Sequence, residues 1–199
     1  MNNDFNQYVD FILKLDEMKT ILRRNINVST KKNENDAEHS WHMATMALLL
    51  KDRTNLGDFD VNKSVQLCIV HDLVEIYAGD TFCWDAKANL SKAERELASA
   101  DKLFSLLPNG EGKLLRDLWE EFEQCTTKES LFANAMDRLQ PFILNVNTNG
   151  HTWQLAHPTY SQVKKRVSIA YEVIPFARDF IDSNIEYAVT QGWIIDDRK

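Results

Sequence analysis

Glycine and proline are scarce in this 199-residue chain, six and four respectively, and that shortage argues against a fold made of many tight turns. Cysteine is scarcer still. Cys68, Cys83 and Cys125 are odd in number and form no CxxC pair, which speaks against a disulfide framework or a zinc ribbon. Basic charge is also in deficit: 23 Lys and Arg face 30 Asp and Glu, a net charge of -7. A broad surface for duplex nucleic acid is therefore not expected, although a local basic cluster is enough for a small phosphorylated ligand. No apolar run approaches the ~20 residues of a membrane span, and "MNNDFNQYVD" has no basic segment leading into an apolar one. The expectation is a cytoplasmic protein with no membrane contact. At 44% hydrophobic and 27% charged residues, the length suits a single domain over residues 1–199.

What is present is helical periodicity. Residues 5 to 22 carry Phe5, Val9, Ile12, Leu13, Met18 and Ile21 at helical spacings. The polar stretch "RRNINVSTKKNENDAEHS" that follows reads as a loop, and a second helix is expected from about Glu38 to Lys51. Asp60 is placed to cap a third helix running to Tyr77 and stopping at Ala78-Gly79. That helix is apolar nearly all round, as befits the centre of a bundle. "SKAE" at Ser91 and "TTKE" at Thr126 look like capping boxes, and a further helix spans about Glu111 to Gln124. The helix after Thr126 is again apolar on every side. "HPTYSQ" opens another, Pro175 interrupts it, and a last one reaches about Thr190. Nothing alternates with period two for long, so the fold class is an all-α single-domain bundle.

Two of these apolar helices contain groups that do not belong in a core. "IVHDLVEIYAGD" holds His71, Asp72 and Glu75 within five positions, with Glu75 about one helical turn beyond the pair. A bare His-Asp dipeptide is weak evidence and often a surface pair, but here the surroundings are apolar. Buried charge costs several kcal/mol unless compensated. Asp137 sits in "LFANAMDRLQPFIL" with the same oddity, for which a buried ion pair is the ordinary explanation. His39, in "ENDAEHSW", precedes the apolar body of the second helix, where a lone histidine usually caps or packs. Together His39, His71, Asp72 and Asp137 offer two imidazoles and two carboxylates, a set that suits one divalent ion such as Mn²⁺, Fe²⁺, Co²⁺ or Zn²⁺. No histidine lies between 72 and 137, so a second ion has few ligands, with His42 the spare candidate. Pro141, four residues after Asp137, removes the backbone donor to the Asp137 carbonyl and is expected to bend the helix there.

The order His…His-Asp…Asp, with "ENDAEHS", "HDLVEIYAGD" and "AMDRLQP" around it, resembles the HD-domain metal-dependent phosphohydrolases along nearly the whole chain. "AGDTFCWDAKANLSKAERELASADKLFSLLP" and "MDRLQPFILNVNTNG" look like one bacterial branch, related to the single-metal 5′-deoxyribonucleotidases. The resemblance implies that His39, His71, Asp72 and Asp137 hold the metal and that Glu75 and Asp80 handle protons at the attacking water. It implies a phosphate-contacting arginine ahead of the first histidine, for which Arg24 is the better positional match and Arg23 its rival. Where the nucleotidases place a tryptophan beside that arginine, this chain has Asn25. It further implies a small phosphorylated substrate, a nucleoside 5′-monophosphate first among them, and a homodimer. Other small phosphoesters, or a non-catalytic metal- and nucleotide-binding module, are the alternatives. Trp84, Phe82 and Tyr77 are candidate walls of a nucleoside pocket, and Lys31 and Lys32 candidate sources of positive potential.

Overall fold

The computed structural model describes residues 4–108 and 110–198. Twelve helices dominate the described residues, joined by one two-stranded antiparallel sheet. Helix α1 (Asp4–Leu15) gives way to a 3₁₀ turn (Asp16–Thr20), so the helix expected to Leu22 stops early. The chain then enters a hairpin, β1 (Leu22–Ile26) and β2 (Asn33–Asn35), where a loop was expected. The turn is closed by Asn27 N–H to the Lys32 carbonyl at 2.8 Å and Lys31 N–H to the Asn27 carbonyl at 3.0 Å, with Lys31 at φ 57°.

Helix α2 (Asp36–Leu50) begins two residues before the expected Glu38, because Asn35 is the cap. Its side chain accepts from Glu38 N–H, and the Glu38 side chain accepts from Asn35 N–H in return. Helix α3 (Val61–Val70) opens as read, with the Asp60 carboxylate accepting from the Asn62 and Lys63 amides. It does not run on to Tyr77. The Cys68 carbonyl, which a continuing α-helix would offer to the Asp72 amide, accepts from His71 Nδ1 at 2.9 Å instead. The next bonds tighten to i→i+3, from Glu75 to Asp72, Ile76 to Leu73 and Tyr77 to Val74. A short α4 (Glu75–Ala78) follows, ended by Gly79 at φ 74°.

After α5 (Ala86–Asn89) come α6 (Lys92–Phe104), α7 (Glu111–Gln124) and α8 (Lys128–Asn147). Ser91 stands at the α6 N-terminus without making a side-chain cap bond. The capping box of α8 belongs to Thr127 and Ser130, one residue beyond the expected Thr126. Helix α8 is the central element, and α2, α3 and α11 all pack against it. Phe132, Ala133, Ala135, Met136, Leu139 and Phe142 are all buried along it, as its all-round apolar character requires. It continues through Pro141 as one helix. The remaining helices are α9 (His151–Ala156), α10 (Tyr160–Arg166), α11 (Ser168–Val173) and α12 (Arg178–Thr190). The first of these was not foreseen. A 3₁₀ turn starting at Pro175 separates α11 from α12. No described helix is long and apolar enough to cross a membrane.

Candidate metal centre

The Asn35 cap sets the phase of α2 so that His39, one turn in, points fully buried toward α8. The turn after α3 carries His71 and Asp72 to the same place, and α8 supplies Asp137. His39 Nε2 lies 3.1 Å from Asp137 Oδ1 and 4.0 Å from Asp72 Oδ2. His71 Nε2 lies 3.1 Å from Asp72 Oδ1 and 3.9 Å from Asp137 Oδ1. Four groups from three separate places in the sequence thus converge.

Whether they suit a cation is decided by the other nitrogen of each ring. His39 Nδ1 is 3.0 Å from Gln140 Oε1, and an amide oxygen only accepts, so the ring proton is on Nδ1. His71 Nδ1 likewise donates to the Cys68 carbonyl. Both Nε2 atoms therefore turn bare lone pairs inward, the outer-shell arrangement of metal-binding histidines. Burial, reinforced by Arg23, pushes the His39 pKa down to about 4 and keeps that ring neutral. Burial also lowers His71, but the Asp72 carboxylate outweighs it and the net shift is upward. His71 Nε2 is buried without a hydrogen-bond partner. Burial disfavours the charged forms of Asp72 and Asp137, yet His71 and Arg23 hold the first, and Arg138 and His39 the second, below the usual carboxylate range. With His71 deprotonated as well, the set supplies two imidazole nitrogens and two anionic carboxylates, which fit a single divalent ion.

Beside this group lies a second one. Asp36, Glu75 and Asp80 bring carboxylate oxygens within 4.8 Å of one another. Burial and the charge of Asp72 raise Glu75 well above the ordinary range and Asp36 to about 7, and burial raises Asp80. Glu75 Oε2 is buried and unpartnered. A carboxyl group poised to carry a proton therefore stands next to the metal position.

Sequence reasoning missed the supports. Arg23 Nη1 is 2.7 Å from Asp72 Oδ2 and 3.4 Å from Asp36 Oδ1, and its Nε is 3.7 Å from Glu34 Oε2. It neutralises these carboxylates and also reaches the cavity described below, which exposed Arg24, next along β1, lines as well. Gln140 is the hub. Its Oε1 fixes His39, while its Nε2 donates to Glu34 Oε1 at 2.6 Å and lies 3.1 Å from His42 Nδ1. His42 touches this hub and not the ligand group. Replacing Gln140 with leucine leaves the His39 tautomer unfixed, so metal affinity is expected to fall by about 10- to 100-fold. Chelator competition on the wild type and the variant measures this; an unchanged affinity refutes the role.

The chamber lined by His71, Asp72, Glu75, Asp80 and Asp137 adjoins a second cavity. Phe82, Trp84, Trp153 and Phe142 give it apolar walls, and Arg24, Asn25, Arg138 and Arg166 also line it. Tyr77 is elsewhere, under the Lys102 ammonium at 3.7 Å from the ring centroid. Lys31 and Lys32 are exposed on the hairpin turn, outside the lining.

The family model described as HD domain matches residues 15–175. The crystal structure of a predicted metal-dependent phosphohydrolase from Magnetospirillum magnetotacticum is 35% identical, with a TM-score of 0.88 over 96% of this chain and 95% of that one. The 5′-deoxynucleotidase HDDC2 of Xenopus laevis is 30% identical over 133 residues, 66% of this chain. That of Dictyostelium discoideum is 27% identical over 140 residues, 68% of this chain. The match spans 64% of the length of the Xenopus protein and 74% of the Dictyostelium one. The chain belongs to the HD domain family.

Proposed function

We propose that this protein is a divalent-metal-dependent phosphohydrolase acting on small phosphomonoesters, with (deoxy)nucleoside 5′-monophosphates as the substrate class. One observation carries the reading: two histidines whose Nδ1 atoms are engaged turn bare Nε2 atoms toward two anionic carboxylates, with proton-handling groups adjacent. The nucleotidase name of the HDDC2 relatives supports the choice of ester.

His39, His71, Asp72 and Asp137 would hold one ion, Mn²⁺, Fe²⁺, Co²⁺ or Zn²⁺. When bound, such an ion can lower the pKa of water from 15.7 to about 7 and draw charge from a phosphoryl oxygen. Glu75 and Asp80 orient the attacking water and take its proton as it adds to phosphorus. The ester P–O bond then breaks, and the alkoxide leaves with a proton returned from the same carboxyl pair. Arg23 balances the negative chamber, Arg24 offers positive charge at its mouth, and the aromatic cavity receives the nucleoside. The test is phosphate release from nucleoside 5′-monophosphates, 3′-monophosphates and sugar phosphates, using chelator-treated protein resupplied with Mn²⁺ or Co²⁺. Turnover that needs the ion and favours the 5′-nucleotides is expected; a metal-replete protein that releases phosphate from none of them overturns the reading.

We place the protein in the cytoplasm, in keeping with its unpaired cysteines, and assign it a homodimer through α2 and α3. Trp41, Leu48, Leu49 and Ile69 are 68%, 53%, 76% and 49% exposed on these two helices, and clustered exposed apolar side chains mark interaction surfaces. Light scattering should give about twice the 23.0 kDa chain mass. Trp41→Glu should weaken association by at least about 30-fold, as for a central aromatic anchor, while metal binding is retained. A monomeric wild type would dismiss this assignment.

A further inference from the structure

Six carboxylates and four cationic side chains line the chamber around the metal position. A phosphate dianion enters such a space only if free positive charge awaits it. Three of the four cations are engaged. Arg23 is bound to Asp72, Lys92 Nζ lies 3.3 Å from Glu96 Oε1, and Arg138 Nη1 contacts Asp137 Oδ2. The fourth, Arg166, has no hydrogen bond or ion pair among the described residues. It is the last residue of α10, partly buried, and its side chain borders the metal chamber, the aromatic cavity and an outer groove.

That outer groove adds a second observation. Arg138, Lys165 and Arg166 line it together with Trp84, and no carboxylate does, although the chain as a whole carries a net charge of -7. Burial, together with the neighbouring Arg138, makes the protonated form of Arg166 less favourable than usual. Two guanidinium groups facing shared space repel each other, and an anion between them turns that repulsion into attraction. A guanidinium fork also matches the oxygen spacing of phosphate, which a lone ammonium does not.

We propose that Arg166, with Arg138, forms the phosphate-gripping subsite at the junction of metal chamber and cavity, and that substrate enters along the Arg138–Lys165–Arg166 groove. This rests on the phosphohydrolase reading above but adds a binding pair from α8 and α10 to the arginines of β1. Arg138 then exchanges Asp137 for the phosphate as the substrate arrives. Arg166 waits unpaired.

The experiment uses Arg166→Met, which keeps the stem and removes the charge, and Arg166→Lys, which restores a point charge. On Mn²⁺-loaded protein, Arg166→Met is expected to raise the KM for a deoxynucleoside 5′-monophosphate and the inhibition constant of inorganic phosphate by about 10- to 100-fold. Metal affinity stays unchanged, kcat falls less than KM rises, and Arg166→Lys recovers part of the loss. A folded, metal-replete Arg166→Met with wild-type KM and phosphate inhibition overturns the proposal. Calorimetric binding of inorganic phosphate separates this idea from the reaction itself. Binding by the wild type that Arg166→Met loses upholds the subsite even if no ester is hydrolysed, and equal binding refutes it. Should the variants fail to fold, phenylglyoxal labelling of the wild type decides. Phosphate is expected to slow modification of Arg166 at least about fivefold, and absence of protection overturns the assignment.

Discussion

His71→Ala protein will carry essentially no divalent ion, and phosphate release from the proposed substrates will fall to background. His71 is buried, its Nδ1 is fixed by the Cys68 carbonyl, and its Nε2 faces the carboxylates of Asp72 and Asp137. Losing an outer-shell contact alone costs about 10- to 100-fold in metal affinity, so loss of a ligand itself must exceed that. The readout does not depend on turnover. A ligand present at 100 times its Kd stabilises the folded state by about 2.7 kcal/mol. In a domain of this size each kcal/mol moves Tm by roughly 2–4 °C, so Mn²⁺ should raise the wild-type midpoint by about 5–11 °C. The alanine variant should show no such rise. Retention of one equivalent of metal by the variant, measured by elemental analysis, would remove His71 from the ligand set.

The second large effect is expected at Glu75, with the opposite signature. Glu75→Gln should keep its metal and substrate affinity yet lose about 10²- to 10⁴-fold in kcat, the usual contribution of a positioned acid or base. Stability should move the other way. Burial and the charges of Asp72 and Asp36 raise the Glu75 pKa, so the fold resists its ionisation. An acid with a raised folded-state pKa contributes stability that is complete below its unfolded value and is lost as pH climbs through the folded one. Chelator-treated wild type should therefore lose stability relative to Glu75→Gln as pH rises above the unfolded value of 4.5. Melting both proteins between pH 5 and about pH 8 checks the sign. A glutamine variant with full kcat would show that Glu75 has no part in the chemistry.

The residues brought together at the centre are those whose polarity clashed with an apolar surrounding. Asp137 was conspicuous because Phe132, Met136, Leu139 and Phe142 are buried on the same helix. His71 and Asp72 stood out for the same reason, although the helix that seemed to hold them ends at Val70. Periodicity does not register that ending, because a histidine side chain capturing one carbonyl leaves no mark on the spacing of apolar residues. The supporting groups were silent for a different reason. Glu34 and Asp36 lie in a stretch polar enough to pass for loop, and they are buried only because the hairpin folds back over α2. Arg23 and Arg24 alternate faces across β1, but a strand of five residues is too short for period two to emerge. Gln140 resembles any polar residue near a proline until its partners from β2 and α2 are in place. Arg166, inside "VKKRV", looks like part of a solvated charge run, and only the packing of α10 reveals that it turns inward.

The cavity is assembled from two unequal portions of chain. The four proposed metal ligands and their supports Arg23 and Gln140 lie between residues 23 and 140, whereas Thr152, Trp153, Val163 and Arg166 reach the adjoining cavity from α9 and α10. Arg166 borders the metal chamber as well as the cavity, so the later helices touch the reacting end of the site and not only its outer walls. A chain cut ahead of α9 would keep every proposed metal ligand in its sequence yet lose part of the cavity wall and the Arg166 guanidinium together.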